Sequence, residues 1–421
     1  MTSAELDMVQ GRSGRLPRIS AFGLTNAFLF IVLSFVGRFL FPFGDEPDFE
    51  ARSMSVIADD HPWWSPYSVF HSVIASWNSD SSCTIVASPL SLWSQIGSGC
   101  HEPIEQILSR FALTLLLVIP LLLPTIFRRS AIRLLDPGQH FSDGEWALRL
   151  DALSLALLLP SVVAATGVFA EEQFVVILSL LLILVIRNIF FTAVLLFFII
   201  GLDVGNGLVV FAAACLFFFN RMMARRVGFR ILSIILVAEL LIVFIIGFIF
   251  IDILTNISFL AEKVSGMISV LSESEDQVHK YPVILRPVIT FMTGVYMSAA
   301  GVKAFPLYAI FGVAFVQWWR RFGVFRKTRR ISVYGFEQRD GSWPFDEARV
   351  LLLTAANVIL LFVFLLPTYS NAKYYLFLVP FFLVNALQVF ERNVIRTLFV
   401  SSTIVVFIFL LLYRISGTAA G

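Results

Sequence analysis

Charge is what this chain has least of. Its 421 residues carry 31 Lys and Arg against 29 Asp and Glu, only 14% of the total, where a soluble domain carries roughly 25%. That shortage excludes an ordinary water-soluble globular fold. Cysteine and histidine are also scarce, at three and five residues. With so few, no paired Cys-x-x-Cys set and no His-Glu-x-x-His helix is encoded. His61, His71 and His101 share one stretch, but their spacing matches no metal motif, so no metal ligands are assigned. There is no Gly-x-x-x-x-Gly-Lys-Ser/Thr loop to cradle phosphates, which excludes an ATPase of that type. The lack of a soluble nucleotide-binding region argues against nucleotide-activated substrates on the inner side, and nothing points to a nucleic-acid partner.

What is present is apolar sequence. Hydrophobic residues make up 58% of the chain and the mean hydropathy is +0.85. A helix needs about 20 apolar residues to cross a bilayer, or fewer where neighbours protect it. Candidate spans fall at 21–43, 108–127, 150–169, 173–187, 188–203, 205–220, 230–252, 287–318, 348–367, 373–390 and 394–413. The expected fold is therefore all-α, a polytopic integral membrane protein of about eleven transmembrane helices. The middles of these spans read as almost free of charge. Gly294, Gly301, Lys303 and Pro306 mark 287–318 as one long broken helix or a re-entrant segment plus a span.

Basic residues fall at alternate ends of the spans. They are Arg12, Arg15 and Arg18; Arg128, Arg129, Arg133 and Arg149; Arg221, Arg225, Arg226 and Arg230; Arg320 through Arg330; and Arg392 with Arg396. The positive-inside rule puts all of them in the cytoplasm, with Arg187 as a boundary residue on the same side. The N-terminus is then inside and the C-terminus outside. The leader, 1–20, lacks a short apolar region followed by a small-residue cleavage site, so the first span reads as a retained anchor. A single membrane domain over 21–413 follows, ending in a tail at 414–421. It carries a long structured outer loop at 44–107, a second outer loop at 253–286 and a basic inner loop at 320–348 that meets anionic lipid headgroups. Trp63, Trp64, Trp77 and Trp93 suit the first loop to the interface, as an aromatic belt or as sugar-stacking rings. Cys83 and Cys100 both lie in that loop, whereas Cys215 lies within a span. Two cysteines in one exported loop point to a disulfide, worth about 3 kcal/mol by loop-closure entropy.

Polar residues that could carry chemistry gather at the outer ends of spans. Asp45, Glu46 and Asp48 follow the first span, at a boundary where charge is expensive to desolvate unless it pairs or reacts. Arg38, the only ionisable residue of that span, is placed to pair with them. Glu171 and Glu172 fall in a very short turn from Phe169 to Gln173. Asp203 sits in Gly201-Leu202-Asp203-Val204-Gly205-Asn206-Gly207, where glycines permit a tight turn or close approach. Tyr369 and Lys373 lie between two late spans, and Arg286 closes the second outer loop. Each has a plainer reading: helix cap, hairpin turn, or interfacial snorkelling lysine.

An acidic pair just after the first span, in a long outer loop, resembles the integral-membrane C-type glycosyltransferases. Leu157-Leu158-Leu159-Pro160, followed by Glu171-Glu172, resembles the proline and second acidic position of that family. Ser370-Asn371-Ala372-Lys373-Tyr374-Tyr375 is similar to a Lys/Arg-Tyr segment found there before a late span. The overall plan also resembles bacterial polymerases that join lipid-linked repeat units. The resemblance implies a polyprenyl-linked sugar donor at the periplasmic face of a bacterial inner membrane and a product such as O-antigen, capsule or exopolysaccharide. It implies Asp45 or Glu46 as general base, and Glu171 or Glu172 orienting the acceptor or an optional divalent cation. Lys373 and Arg286 would hold the diphosphate, with Asp48, Arg38, Asp203 and Tyr369 binding substrate. Membrane lipids and other polysaccharide-assembly proteins are the implied partners. The rival reading is a lipid-linked glycan flippase or transporter.

Overall fold

The structure is a computed structural model that describes residues 19–40, 104–135, 143–167, 171–226, 347–365 and 374–418, with a few helical residues between 234 and 245. Asp45, Glu46, Asp48, Arg286, Tyr369, Lys373, Cys83 and Cys100 lie outside the described residues. So do the two outer loops and the 287–318 stretch.

Every regular element among the described residues is helical. In chain order they are α1 (Ala21–Leu40), α2 (Ile104–Ile126), α3 (Arg128–Leu135), α4 (Asp143–Ala156), α5 (Pro160–Gly167), α6 (Glu171–Leu180) and α7 (Leu182–Val185). These are followed by α8 (Ile189–Leu202), α9 (Val204–Arg226), α10 (Glu347–Leu365), a 3-10 turn (Leu376–Leu378), α11 (Val379–Val389) and α12 (Arg392–Thr418). Among the described residues three helices, α1, α9 and α12, are long and apolar enough to cross a membrane, or up to five candidate spans if each of two bent pairs counts as one. The helices α8 and α11, the α6–α7 pair and the Val350–Ile359 stretch of α10 are apolar but shorter.

Two breaks have local causes. Pro160 has no amide hydrogen to continue α4, and the chain turns by 72° into α5. The carbonyls freed there are satisfied locally: Leu158 and Leu159 donate to Leu155 O and Ala156 O, and the Thr403 hydroxyl of α12 donates to Leu158 O at 2.6 Å. Such irregular backbone is tolerated inside an apolar medium only when its polar groups find partners. The second break follows Pro120 and Pro124 within α2, where the chain turns by 97° into the arginine-bearing α3.

The centre of the bundle is the run from Trp146 to Ala164 and the run from Tyr374 to Phe381, both buried at every position. α4 packs on α11, and α1 packs on α2 and α5. Gly23 makes the α1–α2 contact possible, because a Cβ there would stand 2.1 Å from the Thr125 carbonyl oxygen. Asn26 ties α1 to α4 by donating to Ser154 Oγ at 3.0 Å. The outer surface is the reverse of a soluble protein's. Phe28, Ile189, Phe190, Phe197, Phe211, Ile404 and Leu412 are all exposed. A belt of that size, spread over α1, α8, α9 and α12, needs an apolar surrounding. Cys215 belongs to this outward surface of α9.

Candidate functional site

Hydrogen bonds fix which helix ends lie together. At one end the Ser20 amide donates to Ile126 O, joining the start of α1 to the end of α2. Arg128, just beyond, forms an ion pair with Asp151 of α4, and Arg392 at the start of α12 approaches the same carboxylate at 3.5 Å. The Arg392 and Arg396 guanidinium carbons lie 4.7 and 5.3 Å from the centroid of the Phe22 ring. Arg149 donates to Ile183 O at 2.7 Å, and Arg221 donates to Arg187 O at 3.5 Å. Three of the basic clusters, those around Arg128, Arg221 and Arg392, thus share one end of the bundle with Arg187.

The opposite end holds the candidate site. α1 runs away from the basic end and brings Arg38 to its far terminus, where the guanidinium is buried and donates to Gly167 O at 3.0 Å. Gly167 closes α5, and α6 begins four residues later at Glu171. Glu171 and Glu172 are therefore the first two residues of a helix rather than members of a turn. The helix begins because its partner interactions are in place: Gln173, fully buried, donates to Thr114 Oγ1 of α2 at 3.0 Å and to Thr166 O of α5. α8 starts at the basic end, where Asn188 caps it by accepting from the Phe190 and Phe191 amides. Its 14 residues climb about 21 Å and deliver Asp203 to the Arg38 end.

Asp203 is a hinge between two helices. Its amide donates to Ile199 O to close α8, and its Oδ1 accepts from the Asn206 amide at 3.2 Å to open α9. The glycines act as expected of close approach: a Cβ on Gly207 would meet Ile200 Cα at 2.6 Å, and one on Gly205 would lie 3.2 Å from Tyr374 Oη. Tyr374 thus reaches the Asp203 hinge from the other side of the sequence. Beside it Asn206 is completely buried, and neither its Nδ2 nor its Oδ1 has a hydrogen-bond partner among the described residues. Buried amides without partners are rare and costly, which marks the hinge as a place that a polar group could complete.

Of the residues singled out from sequence, the structure gathers Arg38, Glu171, Glu172 and Asp203 at one end. Sequence reasoning missed Gln173, Thr114 and Asn206, although Asn206 stood inside the glycine-rich segment already noted. It also missed two buried acids. Asp151 lies in α4, fully buried, within an expected span. Glu239 is 8% exposed and takes a hydrogen bond of 3.1 Å from Asn357 of α10. The span interiors are therefore not as free of charge as they read. The available signal was Glu239's position as the only ionisable residue between Arg230 and Asp252. No family model, curated protein or solved structure matches the chain.

Proposed function

We propose that this chain is a membrane glycosyltransferase, or a polymerase of lipid-linked repeat units, that works at the end of the bundle opposite the Arg128, Arg221 and Arg392 clusters. The single observation behind this reading is the convergence of Arg38, the Glu171–Glu172 start of α6, the Asp203 hinge and Tyr374, from four distant parts of the chain. Asp45 and Glu46 follow the end of α1 within a few residues of sequence, which is why they are the acids of highest interest. An eleven-span arrangement with the N-terminus in the cytoplasm puts this end at the periplasmic face of a bacterial inner membrane.

In the reaction the acceptor hydroxyl oxygen attacks the anomeric carbon of a polyprenyl-linked sugar from the side opposite the phosphate. The carbon–oxygen bond to the lipid (di)phosphate breaks, and the phosphate leaves with the electron pair. Asp45 or Glu46 takes the hydroxyl proton. Lys373 and Arg286 offset the charge on the departing group. Glu171 or Glu172 orients the acceptor or an optional divalent cation, and Asp48, Arg38, Asp203 and Tyr369 bind substrate. Other polysaccharide-assembly proteins are the natural partners of such an enzyme.

The test is the lipid-linked glycan profile of a strain lacking the chain, beside one carrying the Asp45→Ala, Glu46→Ala double variant. Accumulated single repeat units with loss of long chains identify a polymerase, and a unit short by one sugar identifies a single-sugar transferase. Wild-type profiles in both strains would reject glycosyl transfer. A second reading, a flippase or transporter of lipid-linked glycan, is favoured by one specific feature: Glu239 and its amide partners form a polar cluster between helices, as transport sites do.

A further inference from the structure

We infer that Glu239, Asn220, Thr354 and Asn357 form a binding site for one monovalent cation, a proton or sodium, inside the apolar part of the bundle. The site is independent of the transfer reading, since it lies among α9, α10 and the segment around residue 239, away from the Arg38 end. Asn220 stands near the basic terminus of α9, completely buried, and Glu239 is 92% buried by its exposure of 8%. Asn357 Nδ2 donates to one carboxyl oxygen of Glu239 at 3.1 Å. Asn220 Nδ2 donates to Thr354 Oγ1 at 3.2 Å, and the Asn220 amide lies alongside the Glu239 carboxyl.

That pattern leaves two acceptors over. The second carboxyl oxygen of Glu239, Oε1, and the amide oxygen of Asn220, Oδ1, are both buried and lack a hydrogen-bond partner among the described residues. Two acceptors left over in one buried cluster favour a positive occupant, because an unneutralised carboxylate is strongly disfavoured in an apolar medium. Charge selects the valence. One carboxylate cancels one positive charge, whereas a divalent ion would leave an excess charge within the bilayer. Chemistry selects the class: carboxylate, amide and hydroxyl oxygens are hard donors, suited to a proton or an alkali-metal ion and not to soft metals. The charged groups facing the cluster are few. α9 offers Arg221, whose guanidinium donates to Arg187 O at 3.5 Å. α10 has no ionisable residue from Val350 to Leu365, and the segment around Glu239 has none from 231 to 251 apart from Glu239 itself.

The experiment uses the full purified chain in lipid nanodiscs with two readouts, both taken on the wild type. The first is the melting temperature in sodium chloride against choline chloride at equal ionic strength. The second is modification by a hydrophobic carbodiimide, mapped to Glu239 by peptide mass, across a pH series with and without sodium. A sodium site predicts a rise of about 5 °C when sodium is about 100-fold above its Kd, with protection from the carbodiimide at constant pH. It also predicts loss of both effects in Glu239→Gln, or in Asn357→Ala if the first variant does not fold. A proton site predicts modification of Glu239 that declines as pH rises and ignores sodium. If Glu239 is unmodified at every pH and sodium leaves the melting temperature where choline does, the cluster binds no exchangeable cation and the inference fails.

Discussion

Asp151 illustrates how much a single residue can hold. It is fully buried, pairs with Arg128 and is approached by Arg392 at 3.5 Å, so one carboxylate joins α4 to the chain just past α2 and to the start of α12. Removing it leaves the buried Arg128 charge without this partner, a change that costs about 3 kcal/mol or more. Asp151→Ala should therefore unfold well below wild type in detergent thermal melts, while Arg392→Ala, whose side chain is 46% exposed, should shift the melt far less. Equal losses in the two variants would mean that the pair is not the main tie. Glycine gives a second contrast. Gly23→Ala forces a methyl into the Thr125 carbonyl at 2.1 Å, whereas a methyl on Gly167 meets nothing within 4 Å. Over-packing against backbone costs about 1–3 kcal/mol, so Gly23→Ala should melt lower and Gly167→Ala should match wild type.

At the scale of the element, the bend between α4 and α5 is the feature with the clearest cause. Proline ends the helix, and a hydroxyl from another helix completes it: Thr403 donates to Leu158 O at 2.6 Å. Valine has the same shape without the donor. Thr403→Val should cost about 1 kcal/mol, the net worth of one hydrogen bond, and Thr403→Ser should restore most of it. A melt of Thr403→Val equal to wild type would show that Leu158 O is satisfied another way. The α8–α9 hinge has a similar logic. Asp203 serves both helices at once, and Gly207 lets α9 approach Ile200 closely enough for the hairpin to close.

For the whole molecule, the separation of the two ends is the property on which the proposed function depends. Cysteines introduced at Ile19, Asn188 and Glu391, with the native cysteines replaced by serine, should react with an impermeant maleimide from the same side of sealed vesicles. A cysteine at Val204 or Leu412 should react only from the other. Labelling of all five from one side would overturn the opposition of the ends, and with it the placement of Arg38, Glu171 and Asp203 away from the Arg128, Arg221 and Arg392 clusters.

Helix positions were largely legible in the sequence, because an apolar run of span length has few other stable forms. The expected 173–187, 188–203 and 348–367 lie within a few residues of the Glu171–Val185 pair, Ile189–Leu202 and Glu347–Leu365. The co-location of the described basic clusters, those around Arg128, Arg221 and Arg392, was legible too, since they fall at alternate span ends. Partnership was not. That Arg38 meets Gly167, Gly205 meets Tyr374, and Glu239 faces Asn357 and Asn220 depends on how helices rotate about their axes. In an apolar medium almost every face of these helices is hydrophobic, so the amphipathic stripe that orients a helix in a soluble protein is missing. Orientation is instead decided by close approaches at small residues and by the need of each buried polar group for a partner, which only the assembled tertiary structure resolves.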